Sequence, residues 1–212
     1  MKQIKFFLLT ILAVLAILSS GDLTMTADAS PISYNFSSTA ASGFISTDAA
    51  GNNVIADLQS VSFLISISGD TLGVIDDPLN PGNGWANLGL TGTISILGTS
   101  YSGTFADPLT VWVDNLGETI GFDNDTLGIT MLALYAQNVG LNTYNLSSSF
   151  GPILADSVTA FEDFASIQTS FGYLTFETVD DATFQAVPEP ATLLLLGFSV
   201  LGLTGLRRKI KS

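Results

Sequence analysis

The sequence predicts an all-β body, an antiparallel β-sandwich of jelly-roll type or a barrel, framed by an N-terminal signal peptide and one short C-terminal transmembrane helix. Three observations carry this. Hydrophobicity in the middle of the chain alternates with a period of two. Short runs rich in Thr, Ser, Val, Ile and Phe are separated by Gly, Pro, Asn and Asp turns. Both ends carry long apolar segments flanked by the only basic residues of the chain.

The N-terminus places Lys2 and Lys5 before an apolar run from Phe6 to Leu18 that only Thr10 interrupts. The run matches a signal-peptide core and falls short of the ~20 residues of a spanning helix. Ala27 and Ala29 supply the small residues that a signal peptidase reads, which makes 1–29 the signal peptide and Ser30 the first mature residue. The body expected over 30–186 then has roughly 160 residues, a common size for one domain.

Within the body, the stretch SYNFSSTAASGFIST from Ser33 reads as hairpin-like. Val61 to Ser68 alternates strictly, with Val61, Phe63, Ile65 and Ile67 on one face and three serines with Leu64 on the other. Gly69-Asp70 predicts a two-residue hairpin turn leading into a strand over 71–75. Further strands are expected over 92–97, 99–105, 109–114, 119–122, 127–136 and 173–179, with turns at Asp76-Asp77-Pro78, 80–84, Asp107-Pro108 and 114–117 between them. Only 157–171 shows helical spacing, through Val158, Phe161, Phe164, Ala165 and Phe171, and a helix is expected there. No repeat of constant period argues for a solenoid or propeller.

Residues 187–212 form the tail. Val187, Pro188, Glu189 and Pro190 open it, and the prolines favour extended, accessible backbone. Ala191 to Leu206 carries no charge and spans ~24 Å as a helix, short against a hydrocarbon core of ~30 Å. The basic end, 207–212, with Arg207, Arg208, Lys209 and Lys211, extends that reach by snorkelling and holds it at the cytoplasmic face.

Composition narrows the chemistry. The net charge is −13, with 6 basic and 19 acidic residues and no histidine or cysteine. Residues 6–206 contain no Lys or Arg, so their field repels polyanions and nucleic acid is excluded as a partner on charge grounds. Serine triads, thiol nucleophiles, Schiff-base lysines and His-ligated zinc lack their residues. Carboxylate chemistry remains, and a glycosidase pair could be drawn from Glu118, Glu162 and Glu177. No cofactor is expected; calcium is the one ion that matches hard oxygen ligands, with candidates Asp123 and Asp125, and Asp76 and Asp77. Asp123-Asn124-Asp125 opens like a calcium loop and then departs from it at Leu127, so an Asx turn that needs no metal is the favoured reading, as it is for Asp76-Asp77 before Pro78. Trp85 and Trp112 are candidates for stacking on sugar rings, and Trp112 alternates against Val111 and Val113, which turns it outward.

The order V-P-E-P, short Gly-containing apolar helix, Arg-rich end resembles the PEP-CTERM sorting signal of exported proteins in Gram-negative bacteria. That resemblance implies processing by signal peptidase and then exosortase, a transient anchor in the inner membrane, and a final place at the cell surface or in the extracellular matrix. The SYNFSSTAASGFIST and ADLQSVSFLIS stretches also resemble the β-rich domain of other proteins with this tail. The expectation is a non-enzymatic structural or interactive protein of an exopolysaccharide or biofilm matrix. Its alternatives are a carbohydrate-binding module and a carboxylate-based glycoside hydrolase.

Overall fold

A computed structural model describes residues 29–160 and 166–188. The expected signal peptide short of Ala29, residues Glu162, Glu189 and Pro190, the transmembrane helix over 191–206 and the basic end at 207–212 lie outside the described residues. Among those described, no helix is long and apolar enough to cross a membrane.

The body is all-β. Its strands are β1 (Pro31–Ser46), β2 (Val54–Asp70), β3 (Val74–Asp76), β4 (Gly84–Ile96), β5 (Ser102–Thr104), β6 (Leu109–Asp114), β7 (Thr119–Asn124), β8 (Ile129–Tyr135), β9 (Phe150–Leu154), β10 (Ser157–Ala160), β11 (Ile167–Thr169), β12 (Gly172–Asp180) and β13 (Thr183–Pro188). All pairings are antiparallel. They build one 13-stranded sheet in the order β10-β8-β7-β6-β4-β2-β1-β12-β11, with β13 between β1 and β9 and with β3 and β5 along β4.

The sheet curls into a half-barrel because two of its strands change partners along their length. β4 pairs with β3 and β6 through residues 84–90 and with β2 and β5 through 91–96, shifting register between Asn87 and Leu90 where Gly89 takes φ +68°. A residue in the left-handed region bends a strand, and glycine adopts it without a Cβ clash. β1 likewise pairs with β13 through 32–37 and with β12 through 40–46.

The curl brings the inward faces of the two halves together. Phe36 on β1 meets Phe122 on β7 at 5.3 Å between ring centroids and Phe184 on β13 at 5.0 Å. Ile65, Ile67, Ile94, Val111, Val113 and Ile120 fill the same core, and all are fully buried. One polar network crosses it: the Tyr34 hydroxyl donates to the Leu146 carbonyl at 2.8 Å and accepts from the Asn87 amide at 3.1 Å. Burial pushes the Tyr34 phenol up to about 12. Among the described residues no buried side-chain nitrogen or oxygen lacks a hydrogen-bond partner.

Three expectations change. The opening stretch is one long strand, β1, because its buried residues Ile32, Tyr34, Phe36, Ala41 and Ile45 all serve the same core. Gly69-Asp70 makes no two-residue hairpin. The Asp70 carboxylate accepts from Leu72 N–H at 2.8 Å and caps a 3-10 turn over Thr71–Gly73, which carries the chain across to pair β3 with β4. The helix expected over 157–171 is replaced at its described ends by β10 and β11, with 161–165 outside the described residues.

Candidate functional site

The hexapeptide LTVWVD of β6 sends Leu109, Val111 and Val113 into the core and leaves Thr110, Trp112 and Asp114 on the outer face. In β7, Gly121 stands opposite Trp112. A Cβ there would lie 2.8 Å from Trp112 Cζ2 and 2.3 Å from the Leu132 carbonyl oxygen, so the indole occupies the space a side chain would need. Ala86 of β4 is the cross-strand partner on the other side. The indole thus rests across the sheet between two small neighbours.

Its direction is set by a hydrogen bond, in which Trp112 Nε1–H donates to Asp123 Oδ1 at 2.7 Å. The Asp123 carboxyl is held above its ordinary value, chiefly by burial. The bonds from Trp112 and Thr130 pull it down, while the charges of Asp125 and Asp77 push it further up.

Two loops wall this face. In the first, Asp77 accepts from Leu79 N–H at 2.9 Å and Asp76 from Gly82 N–H at 3.0 Å. In the second, Asn124 Oδ1 accepts from Thr126 and Leu127 N–H, each at 2.9 Å. Asp125 accepts from Thr110 Oγ1–H at 2.5 Å and from Gly89 N–H at 3.2 Å, tying that loop to the bend of β4. The result is a groove of about 510 Å³ bordered by Trp112, Leu79, Leu88, Thr110, Thr130, Asn80 and the carboxyl-bearing residues Asp77, Asp114, Asp123 and Asp125.

Sequence reasoning singled out Trp112, Asp77, Asp123 and Asp125, and the fold gathers these four at one groove. It separates the others. Trp85 pairs across the ladder with the core residue Val113 and with Asp76, so Trp85 and Asp76 share the face opposite to Trp112. The two tryptophans do not form one platform. Glu118 sits in the turn before β7 and accepts from Asn138 N–H at 3.3 Å; Glu177 is exposed on β12; neither borders the groove. Among the described residues no group of three or more acidic side chains is placed to hold a metal ion. Thr110, Asp114, Asn80 and Thr130 were missed as groove residues. For Thr110 and Asp114 the signal was present, because they share the alternation that turns Trp112 outward.

A second outward surface lies on the other half of the sheet. Thr104, Thr93, Ser66, Asn35 and Gln185 are successive cross-strand partners over β5, β4, β2, β1 and β13. Ser102, Ser95, Leu64, Ser37 and Thr183 form the parallel row. Val187 at the end of β13 is exposed, and Pro188 closes the strand beside Ile32. Ala29 is exposed just before β1.

Residues 186–209 match the PEP-CTERM protein-sorting motif. The chain therefore carries the sorting signal of an exosortase substrate, which implies export with a transient stay in the membrane. No curated protein and no solved structure matches the chain.

Proposed function

We propose that the body is a non-catalytic, glycan-binding component of the extracellular or surface polysaccharide matrix, with halves packed as a jelly-roll-like sandwich. On this reading the signal peptide is removed after Ala29 and the tail, with its helix over 191–206, is discarded. The observation that carries the reading is Trp112 lying across Gly121 and hydrogen-bonded to Asp123 within the groove. An outward indole supplies an apolar face for the C–H side of a sugar ring, and the surrounding carboxylates, amide and hydroxyls accept or donate to its rim. An acidic groove suits a neutral polymer with many hydroxyl donors and repels an anionic one.

The test is affinity electrophoresis of protein purified from the host's medium, in gels cast with the host's own exopolysaccharide or with neutral glucans. Retardation that disappears in Trp112→Ala and persists in Trp85→Ala is expected; equal mobility of wild type and Trp112→Ala in every gel would overturn the reading. We further propose that binding needs no resident ion, so EDTA leaves the retardation unchanged and added calcium does not strengthen it.

One observation favours a second reading. Burial, with the charges of Asp125 and Asp77 adding to it, holds the Asp123 carboxyl above its ordinary value, the direction in which the general acid of a glycoside hydrolase is shifted. Release of reducing ends from the bound glycan, lost in Asp123→Asn, would establish it. An inert purified protein would retire it.

A further inference from the structure

The first and last strands of the body are neighbours. Ile32 pairs with Pro188, Ser33 with Val187 and Tyr34 with Ala186. On its other side β1 is held by β2, through Pro31 with Asp70 and Ile32 with Gly69. Ser30 is fixed as well, since its N–H donates to Thr71 Oγ1 and its carbonyl accepts from Thr71 N–H, both at 3.1 Å. β13 is equally enclosed, with β1 along one edge and β9 along the other, where Phe184 faces Ile153 and Ala186 faces Phe150. Phe184 and Ala186 are buried.

The sorting motif begins at residue 186, inside this strand. No spacer separates the signal from the fold. The expected signal-peptidase site at Ala29 likewise directly precedes β1. Both processing positions therefore stand at one pole of the body, at the adjoining ends of two paired strands.

We propose that this pole faces the membrane-embedded processing enzyme and that β1–β13 pairing makes tail removal follow folding: the enzyme meets the sorting motif fixed to a finished sheet, and bonds N-terminal to Pro188 are closed to it. Two physical reasons support the order. Peptidases commonly bind substrates as an added extended strand, and the backbone edges of Thr183 to Ala186 already lie between β1 and β9. β13 is also the last strand among the described residues, so its pairing with β1 waits until the chain through residue 188 has been exported. Cleavage beyond Pro188 breaks one C–N peptide bond. The carbonyl carbon passes to water or to an acceptor amine, and the tail departs as a free amine carrying the proton. The mature body keeps all of β13.

The full-length chain with Ser33→Cys and Val187→Cys tests this in the native host. The protein has no cysteine of its own, directly opposed antiparallel residues lie within disulfide reach, and an exported compartment permits oxidation. Pulse–chase with intact-mass readout is expected to show the oxidised precursor in the membrane fraction, followed by a tail-free product that retains the bridge and ends at or beyond Pro188. Accumulation of uncut oxidised precursor, while the single Ser33→Cys chain is processed, would overturn it, because pairing would then obstruct the cut. A mature mass that excludes Val187 would overturn it equally. As a second variant, Phe184→Ala loosens β13 without new chemistry, and slower tail removal or ragged ends upstream of Pro188 are expected. Unchanged rate and end would sink the coupling. A tail retained by wild type at its final location would instead remove the sorting premise.

Discussion

Along β4 a single strand supplies both outer faces of the sheet. Before Gly89, Ala86 and Leu88 border the acidic groove around Trp112. Beyond it, Thr91, Thr93 and Ser95 enter a field of hydroxyls that continues over β2, β1 and β13 without a charged side chain in its two complete rows. Strands in such a ladder repeat at ~4.8 Å, so the second face is a regular and neutral array, dipping into a hollow of about 350 Å³ at Ser66, Thr93 and Thr104, whereas the first is walled, apolar at its floor and anionic at its rim. The chain is strongly acidic as a whole, yet its carboxylates are not spread evenly. Net charge serves solubility on any surface; carboxylates gathered at loop ends around one outward tryptophan are an arrangement, and this contrast separates the groove from the general acidity.

The largest perturbation removes both faces together. Phe36 packs against Phe122 of the groove-bearing half and against Phe184 beneath the hydroxyl face. Phe36→Ala is expected to cost about 3–5 kcal/mol, read as a lowered urea midpoint, with glycan retention falling in the same transition. Retention that survives where the body has unfolded would break the link between groove and core.

Gly121→Ala acts on one face alone. The added methyl would meet the Leu132 carbonyl at 2.3 Å and the Trp112 ring at 2.8 Å, so β7 must shift from β8 and the indole must lift. A loss of about 1–3 kcal/mol is expected, together with weaker glycan retention and altered tryptophan fluorescence. Stability and fluorescence both unchanged would contradict the close packing of the ring.

Trp112→Ala sharpens the contrast further. The side chain lies half-buried on the outer face, so the free energy of unfolding in urea should fall by only about 1 kcal/mol while retention is lost. Thr93→Val with Thr104→Val on the hydroxyl face provides the matching arm and should leave retention intact. The reverse pattern would assign the ligand to the neutral array.

What the sequence revealed follows from the range of each signal. Alternation is local, so the inward set of Val61 to Ser68 and the outward turn of Trp112 were legible within single strands. The strand expected over 127–136 appears as β8, legible from the turn residues that bound it rather than from alternation, since Met131 and Leu132 are both buried. Pairing is not local. Nothing near Thr71 indicates that β3 joins β4 rather than β2, and nothing near Val187 reveals Ser33 as its neighbour. Of the spacing at 157–171 that fitted a helix, Phe161, Phe164 and Ala165 lie outside the described residues, and the described ends are strands whose partners, β8 and β12, no pattern within 157–171 announces. Asp77, Asp123 and Asp125 could be chosen as residue types, but their meeting depends on the bend at Gly89, to whose N–H Asp125 is bonded.

The smallest expected effect concerns the proton on Asp123. Its folded carboxyl is held above the ordinary value of 3.8, with burial as the main cause. Well below that value both folded and unfolded chains carry the proton, and the group contributes nothing to the difference. As pH rises past 3.8 the unfolded chain releases its proton first, so stability falls until the folded group ionises too, and the penalty then persists at neutral pH. Asn at this position can still accept the Trp112 N–H and cannot ionise. Asp123→Asn should therefore gain melting temperature relative to wild type as pH is raised through this window, and match it more closely in acid. Self-repulsion among the other carboxylates lowers both curves alike, so the difference between them is the quantity that reports Asp123. Parallel curves for the two proteins from acid to neutral pH would mean that the groove is wetter around Asp123 than its burial and its bond to the indole require.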